Sequence, residues 1–130
     1  MTLGNDRLGK LLLRLALGVI MLMHGIAKLQ NGIEPISAAF VAHGLPAEFA
    51  YAVYIGEVVA PLMLIFGFFA RFGGLLIAIT MLVAIYLMHA SQVLALGPTG
   101  GWAIELQGLL LFAAIAVMLF GPGKPSVNDR

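Results

Sequence analysis

Four apolar stretches of about 20 residues each follow one another along this chain, at 8–29, 50–70, 72–91 and 102–120. A helix of about 20 apolar residues is long enough to span the ~30 Å hydrocarbon core of a bilayer. Only helices and closed barrels satisfy their backbone hydrogen bonds in lipid, and these stretches lack the apolar–polar alternation of barrel strands. The sequence therefore predicts an all-α, multi-pass membrane protein, a four-transmembrane-helix bundle that forms a single domain over residues 1–130.

The composition excludes several other classes of protein. Of the 130 residues 62% are hydrophobic and 10% are charged, which is too apolar for the surface of a water-soluble domain. The net charge of +1 and the lack of a basic run argue against nucleic acid as a partner. The chain has no Cys, which rules out disulfides and Cys-ligated clusters. We therefore expect the lipid bilayer as the partner, and no metal site.

The predicted orientation follows from the basic residues. Six of the seven lie on one predicted side of the membrane or near it: Arg7, Lys10, Arg14, Arg71, Lys124 and Arg130. By the positive-inside rule this side is cytoplasmic, so both termini face the cytoplasm in a cell (inner or plasma) membrane. Arg14 lies within the first span, where a long side chain can reach the headgroups.

The longest connection, residues 31–49, predicts a short interfacial helix in the first outer loop. Pro35 occupies a suitable first helical position, and Gly44 is a suitable stop. One side of this helix carries Ile36, Phe40 and Val41. An irregular loop is the alternative interpretation. A second connection, FARFGG at 69–74, predicts a tight turn.

Polar side chains from all four helices fall in the same outer half of the predicted membrane. His24 and Lys28 end the first helix, His89 ends the third, and Glu105 begins the fourth. Glu57 lies seven residues into the second helix, or about 10 Å deep at ~1.5 Å per residue. Because an unpaired charge inside a bilayer costs a few kcal/mol, we expect the two carboxylates, Glu57 and Glu105, and the two basic groups, His24 and Lys28, to form a cluster inside the bundle.

Helical periodicity places the polar groups of the first helix on one stripe, with His24 beside it. The stripe contains Arg14, Gly18, Met21, Gly25 and Lys28. Two glycines on one stripe allow a second backbone to come close, so the stripe is predicted to face protein. In the second helix, Pro61 cannot donate a hydrogen bond to the carbonyl of Glu57.

Each polar residue also has a less specific interpretation. Lys28 can extend to the outer interface without a partner. His24 can be a neutral ring bonded to a backbone carbonyl, and His89 can be an ordinary interfacial residue. Glu105 can stabilise the first turn of its helix. A functional role is the default only for Glu57, which lies within an apolar run.

At these residues the sequence resembles the DoxX family of small four-helix membrane proteins. The resemblance covers almost the whole chain and rests on RLALGVIMLMHGIAKL (14–29), FVAHGLP (40–46), GEVVAPLMLIFGFFAR (56–71), GGWAIELQGLLL (100–111) and FGPGKPSV (120–127). The family's recurrent residues correspond to His24, Lys28, Glu57 and Glu105. Some relatives are described as subunits of a thiosulfate:quinone oxidoreductase, and many carry only a general oxidoreductase name.

The favoured hypothesis is a membrane oxidoreductase, or a subunit of one, whose outer cluster binds a quinone or a small polar substrate. The candidate catalytic residues are His24, Lys28, Glu57 and Glu105, with the carboxylates taking up protons. Candidate cofactor ligands are His24, His89 and Trp102, and quinone is favoured over a haem held between the two histidines. Trp102 is also predicted to anchor the fourth helix at the interface.

Two other classes of function compete with this hypothesis. One is an accessory or scaffold protein in which the polar cluster only fixes helix packing. The other is a small-solute transporter, for which carboxylates within the membrane and a helix containing proline are also typical. A partner redox subunit and a homo-oligomer are compatible with the sequence.

Overall fold

The computed structural model describes residues 5–130, which form a helical bundle. Its five α-helices are α1 (Asp6–Asn31), α2 (Glu34–Ala42), α3 (Ala60–Phe66), α4 (Ala70–Met88) and α5 (Glu105–Phe120). Three stretches are long and apolar enough to cross a membrane, and α5, with 16 residues, is a shorter apolar helix. The predicted all-α membrane bundle is confirmed.

The second span is composite rather than one regular helix. It runs from Ala47 to Phe66 and consists of a 3₁₀ helix (Ala47–Ala52), a π-helical segment (Ile55–Val59) and α3. Within the π-helical segment the Ala60 amide bonds to the carbonyl of Ile55, five residues earlier. Pro61 follows directly and has no amide hydrogen, so α-helical hydrogen bonding is interrupted here.

Two helix boundaries differ from the prediction. The turn between the second and third spans lies at 67–69, where Gly67 has φ 72° and Phe69 has φ 47°. Residues 70–74 already belong to α4, so the turn predicted at 69–74 is wrong. Glycine adopts a left-handed conformation without steric cost, which explains why the chain reverses at Gly67. The fourth helix begins at Glu105 instead of residue 102.

The short helix of the first loop is confirmed as α2. Pro35 lies in its first turn, and Gly44 follows its end with φ 78°. Phe40 is 7% exposed, whereas Val41 is 57% exposed, so the two do not share the buried face as predicted. The buried face of α2 therefore points towards the bundle through Phe40.

The core lies between α1, α3, α4 and α5. Its fully buried members include Met21, Leu64, Ile77, Ala114 and Val117. The stripe predicted for α1 is confirmed at four of its five positions, because the buried residues of that helix are Arg14, Leu17, Gly18, Met21 and Gly25, whereas Lys28 is partly exposed. Large apolar side chains cover much of the outer surface, as a surface in contact with lipid requires.

Arg14 does not reach towards the headgroups as the sequence predicted. It is 2% exposed, and its guanidinium donates hydrogen bonds of 2.8 Å to the carbonyls of Pro122 and Pro125. The C-terminal tail folds back over this end of the bundle, where the amide of Val127 donates to the carbonyl of Phe66. Arg14 therefore binds the tail to α1.

Candidate functional site

Lys28 and Glu57 form a partly buried ion pair between α1 and the π-helical segment. The ammonium nitrogen of Lys28 lies 2.8 Å from each carboxylate oxygen of Glu57, and it donates a hydrogen bond to Oε1. The side chain of Glu57 is 5% exposed and that of Lys28 is 26% exposed. From the sequence, Lys28 could either pair with a carboxylate or extend to the outer interface without a partner. The structure shows that it pairs with Glu57.

A glycine on α1 makes this pairing sterically possible. A Cβ atom at Gly25 would lie 2.0 Å from the backbone carbonyl oxygen of Glu57, so only glycine fits at this contact. Lys28 follows three residues later, on the same side of the helix. The carbonyl that Gly25 approaches is the one to which Pro61 cannot donate.

A second glycine packs the other side of the π-helical segment against α4. A Cβ atom at Gly56 would lie 1.6 Å from the hydroxyl oxygen of Thr80. The Thr80 hydroxyl donates to the carbonyl of Leu76 in its own helix, so its hydrogen is already used. Glycines therefore allow close contact with α1 and α4 on either side of Glu57. Single π-helical turns within helices occur frequently at functional sites.

A cavity of about 280 Å³ adjoins the ion pair. Lys28 and Glu57 are the charged residues in its wall, and Thr80 adds a hydroxyl. Its apolar wall comes from α2, the 3₁₀ helix and α4, and includes Ile36, Phe40, Phe49, Val53, Ala84 and Leu87. Oε2 of Glu57 is buried and accepts no hydrogen bond from residues 5–130. The cavity thus combines an apolar wall with one localised pair of charges.

The other candidate residues lie away from this cavity. Glu105 is exposed at the first position of α5 and makes no ion pair with Lys28. His24 is partly exposed and is not in the cavity wall. The structure thus brings together two of the four predicted catalytic residues, and the roles of His24 and Glu105 stay predictions.

The candidate cofactor ligands outside α1 contact other groups. Nδ1 of His89 lies 3.0 Å from the side-chain oxygen of Gln92. The indole N–H of Trp102 donates to the carbonyl of Val93, and its ring packs against Gly108, where a Cβ atom would lie 2.2 Å from the ring. Neither His89 nor Trp102 lies in the wall of the cavity. Within residues 5–130 no group of three or more His, Cys, Asp or Glu side chains is arranged to hold a metal ion.

Sequence reasoning did not identify Thr80 as part of the site. Thr80 lies near the middle of α4, surrounded by apolar residues on both sides, so its isolation was an available signal. The aromatic wall from Phe40 and Phe49 had no comparable signal. Both residues belong to the loop and its neighbouring 3₁₀ helix, and their position over α4 depends on how these elements fold back.

The fold and site together define an integral membrane helix bundle with a partly buried ion pair beside an apolar cavity. The DoxX family model matches residues 9–90, and the chain belongs to the DoxX family. It is also 34% identical to the Bacillus subtilis (strain 168) protein named "Putative oxidoreductase CatD". The alignment extends over 114 residues, which are 88% of this chain and 80% of that relative. No solved structure matches the chain. Membership of this family, together with three helices long and apolar enough to cross a membrane, identifies a membrane protein.

Proposed function

We propose that the protein is a membrane oxidoreductase, or a subunit of one, that binds a quinone ring in the cavity beside Lys28 and Glu57. The observation that carries this proposal is the ion pair in an otherwise apolar cavity wall. A quinone has the matching chemistry, with a flat apolar ring and carbonyl oxygens that accept hydrogen bonds. Apolar pockets with a few convergent polar groups are the usual form of small-molecule sites. The named relative supports the redox part of the proposal.

The size of the cavity favours a small ring. Its volume of about 280 Å³ lies just below the usual range for ligand sites, about 300–1,000 Å³. That volume suits a single quinone ring better than a haem or a flavin. The apolar tail of a membrane quinone would leave the cavity along the apolar side chains of α2 and α4.

The ion pair gives each of its members a definite role in this proposal. Lys28 donates a hydrogen bond to a quinone carbonyl oxygen, and Glu57 keeps the ammonium oriented and charge-balanced. Reduction of a quinone to a quinol consumes two electrons, which a partner redox subunit supplies, and two protons, which come from water. Lys28 lies in the last turn of α1, near the end of the span, so its ammonium can pass a proton to the quinone oxygen and recover one from water at the interface.

A cavity-filling variant tests quinone binding without touching the ion pair. Ala84→Phe places a ring inside the cavity, because Ala84 lies in its wall. Ala16→Phe is the matched control, since Ala16 is exposed on α1 and lies outside the cavity. Binding of a short-chain quinone to purified protein is measured by equilibrium dialysis. We expect at least a tenfold loss of affinity in the first variant and unchanged affinity in the control.

Two results would reject the proposal. One is the absence of saturable quinone binding to the unmodified protein. The other is equal affinity in the Ala84→Phe variant and its control. If quinone also leaves the melting temperature of the protein unchanged, the scaffold hypothesis is favoured. Solute flux into proteoliposomes would instead favour the transporter hypothesis.

We also propose that both termini face the cytoplasm of a cell membrane. The support is the packing of the C-terminal tail on α1 and the position of Arg7, Lys10, Arg71 and Lys124 around one pocket at this end of the bundle. The chain has no native thiol, so a single Cys introduced at position 38 or in the tail can be labelled with a membrane-impermeant thiol reagent, from outside in intact cells or from the cytoplasmic face in inverted vesicles. We expect opposite accessibility, and labelling of both positions from one side would contradict the topology.

A further inference from the structure

A second pocket lies at the end of the bundle opposite the Lys28–Glu57 pair. It is shallow and largely open, with a volume of about 220 Å³, and four cationic side chains line it, with one carboxylate: Arg7, Lys10, Arg71, Lys124 and Asp129. These residues come from the start of α1, the start of α4 and the C-terminal tail. Positive charge from three separate parts of the chain therefore converges on one place.

Most of this positive charge is not neutralised within the described chain. Lys124 pairs with Asp129. Arg71 donates to the backbone carbonyls of Met118 and Leu119 and, at 3.4 Å, of Phe120, so it binds the end of α5, and its charge is kept because these acceptors are neutral. The side chains of Arg7 and Lys10 form no hydrogen bond or ion pair with residues 5–130. The pocket is therefore suited to an anionic group.

The remaining wall of the pocket is apolar and continues into the outer surface of α5. Phe120 and Pro122 complete the lining. Phe120 is 55% exposed and Leu119, beside it, is 67% exposed at the end of this apolar helix. Because α1 and α4 begin here and α5 ends here, the pocket lies where the apolar spans meet the headgroup layer.

We propose that this pocket binds the phosphate group of an anionic phospholipid. Arg7 and Lys10 contact the phosphate, Arg71 adds positive charge beside it, and one acyl chain lies along Phe120 and the outer face of α5. Basic pockets between membrane helices are suited to anionic headgroups. The continuous apolar wall favours a lipid over free phosphate, which has no group to place there. This inference is independent of the proposed quinone site.

The test compares lipids on the purified full-length protein in detergent. Phosphatidylglycerol and phosphatidylcholine with the same acyl chains are titrated separately, sodium phosphate is titrated as a third arm, and the melting temperature is recorded. We expect a saturable rise with phosphatidylglycerol and none with the other two. Because the protein is already solubilised, any effect of a variant on membrane insertion does not enter the measurement.

Variants locate the site. Arg7→Gln and Lys10→Gln each remove one cation from the pocket, and we expect each to weaken the apparent affinity for phosphatidylglycerol by about fivefold. Arg130→Gln is the matched control, since Arg130 loses the same charge at the same end of the bundle and does not line the pocket. Its guanidinium lies over the ring of Phe69.

Three outcomes would overturn the proposal. Equal stabilisation by phosphatidylcholine would show that the charge of the headgroup is not recognised. Equal stabilisation by sodium phosphate would show a general anion site without a lipid component. Equal phosphatidylglycerol affinity in Arg7→Gln, Lys10→Gln and the Arg130→Gln control would place lipid binding elsewhere on the protein.

Discussion

Two cations on the same stripe of α1 are buried in different ways. Lys28 binds a carboxylate, Glu57, at the edge of a cavity. Arg14, four turns earlier, binds the neutral carbonyls of Pro122 and Pro125 and lines neither of the two cavities. An ion pair next to space can rearrange around a ligand, whereas a guanidinium held between packed backbone oxygens cannot. The comparison identifies Lys28 as the candidate site residue and Arg14 as a structural contact.

The largest effect is expected from breaking the ion pair on one side only. Lys28→Met leaves Glu57 without its partner, and loss of one member of a buried pair costs about 3–5 kcal/mol. Thermal unfolding in detergent measures this cost. In the double variant Lys28→Met, Glu57→Gln the stranded charge is gone, so we expect a substantial recovery of stability. Strictly additive losses would show that the pair is not energetically coupled.

Arg14 provides the contrasting experiment. Arg14→Met removes two hydrogen bonds from a charged donor, and we expect a loss of about 3 kcal/mol in thermal unfolding. Arg14→Lys can bond only one carbonyl at a time, so we expect it to recover about half of that loss. Ala16→Met, at an exposed position of the same helix that lines neither cavity, is the control and should stay within ~0.5 kcal/mol. If Arg14→Lys were as stable as the unmodified protein, the two carbonyl contacts would not be needed, and the predicted role of Arg14 in reaching the headgroups would be favoured.

The contact that brings α1 to Glu57 is tested with a methyl group. Gly25→Ala places a Cβ atom against the Glu57 carbonyl, and relief of that overlap should cost about 1–3 kcal/mol. Gly9→Ala is the matched control, because no atom lies within 4 Å of its added Cβ. It should be neutral or slightly stabilising, since alanine is the better helix former. Equal stability of the Gly25→Ala and Gly9→Ala variants would show that the close contact between Gly25 and Glu57 does not matter for the stability of the protein.

The smallest effect is expected at the exposed tail pair. The hydrogen bond from Lys124, together with its charge, holds the pKa of Asp129 below its ordinary value of 3.8. A lowered pKa means that the contribution is present above pH 3.8 and is lost as pH falls through the lowered value. Because Asp129 is fully exposed, Asp129→Asn should leave the melting temperature at pH 7 unchanged. A clear loss would show that the tail depends on this pair.

The sequence predicted the elements of the fold better than their local form. The apolar stretches identified the spans, and Pro35 and Gly44 correctly delimited α2. The composite second span was missed, because hydropathy reports that a segment is apolar and not which hydrogen-bond pattern it adopts. The turn at Gly67 was misplaced for a similar reason, since three glycines at 67–74 offered alternative stops.

The candidate site was predicted in part. Depth along each helix correctly placed Lys28 beside Glu57, since rise per residue is a property of the helix alone. Depth was not sufficient for Glu105. It lies at the outer end of the bundle, as predicted, but it is the first residue of α5 and is exposed there. Whether two residues at similar depth meet depends on how each helix is rotated and tilted. Those angles are set by packing between helices.

The sequence by itself determined the solvent, the helical class and the residues for which burial would be costly, because these follow from composition and periodicity. Only the tertiary structure decided the partners of those residues. Gly25 and Gly56 bring α1 and α4 against the π-helical segment, the tail returns to Arg14, and α2 folds over α4 to enclose the cavity. Each of these contacts joins segments distant in sequence, and close packing selects among many pairings that the sequence alone allows.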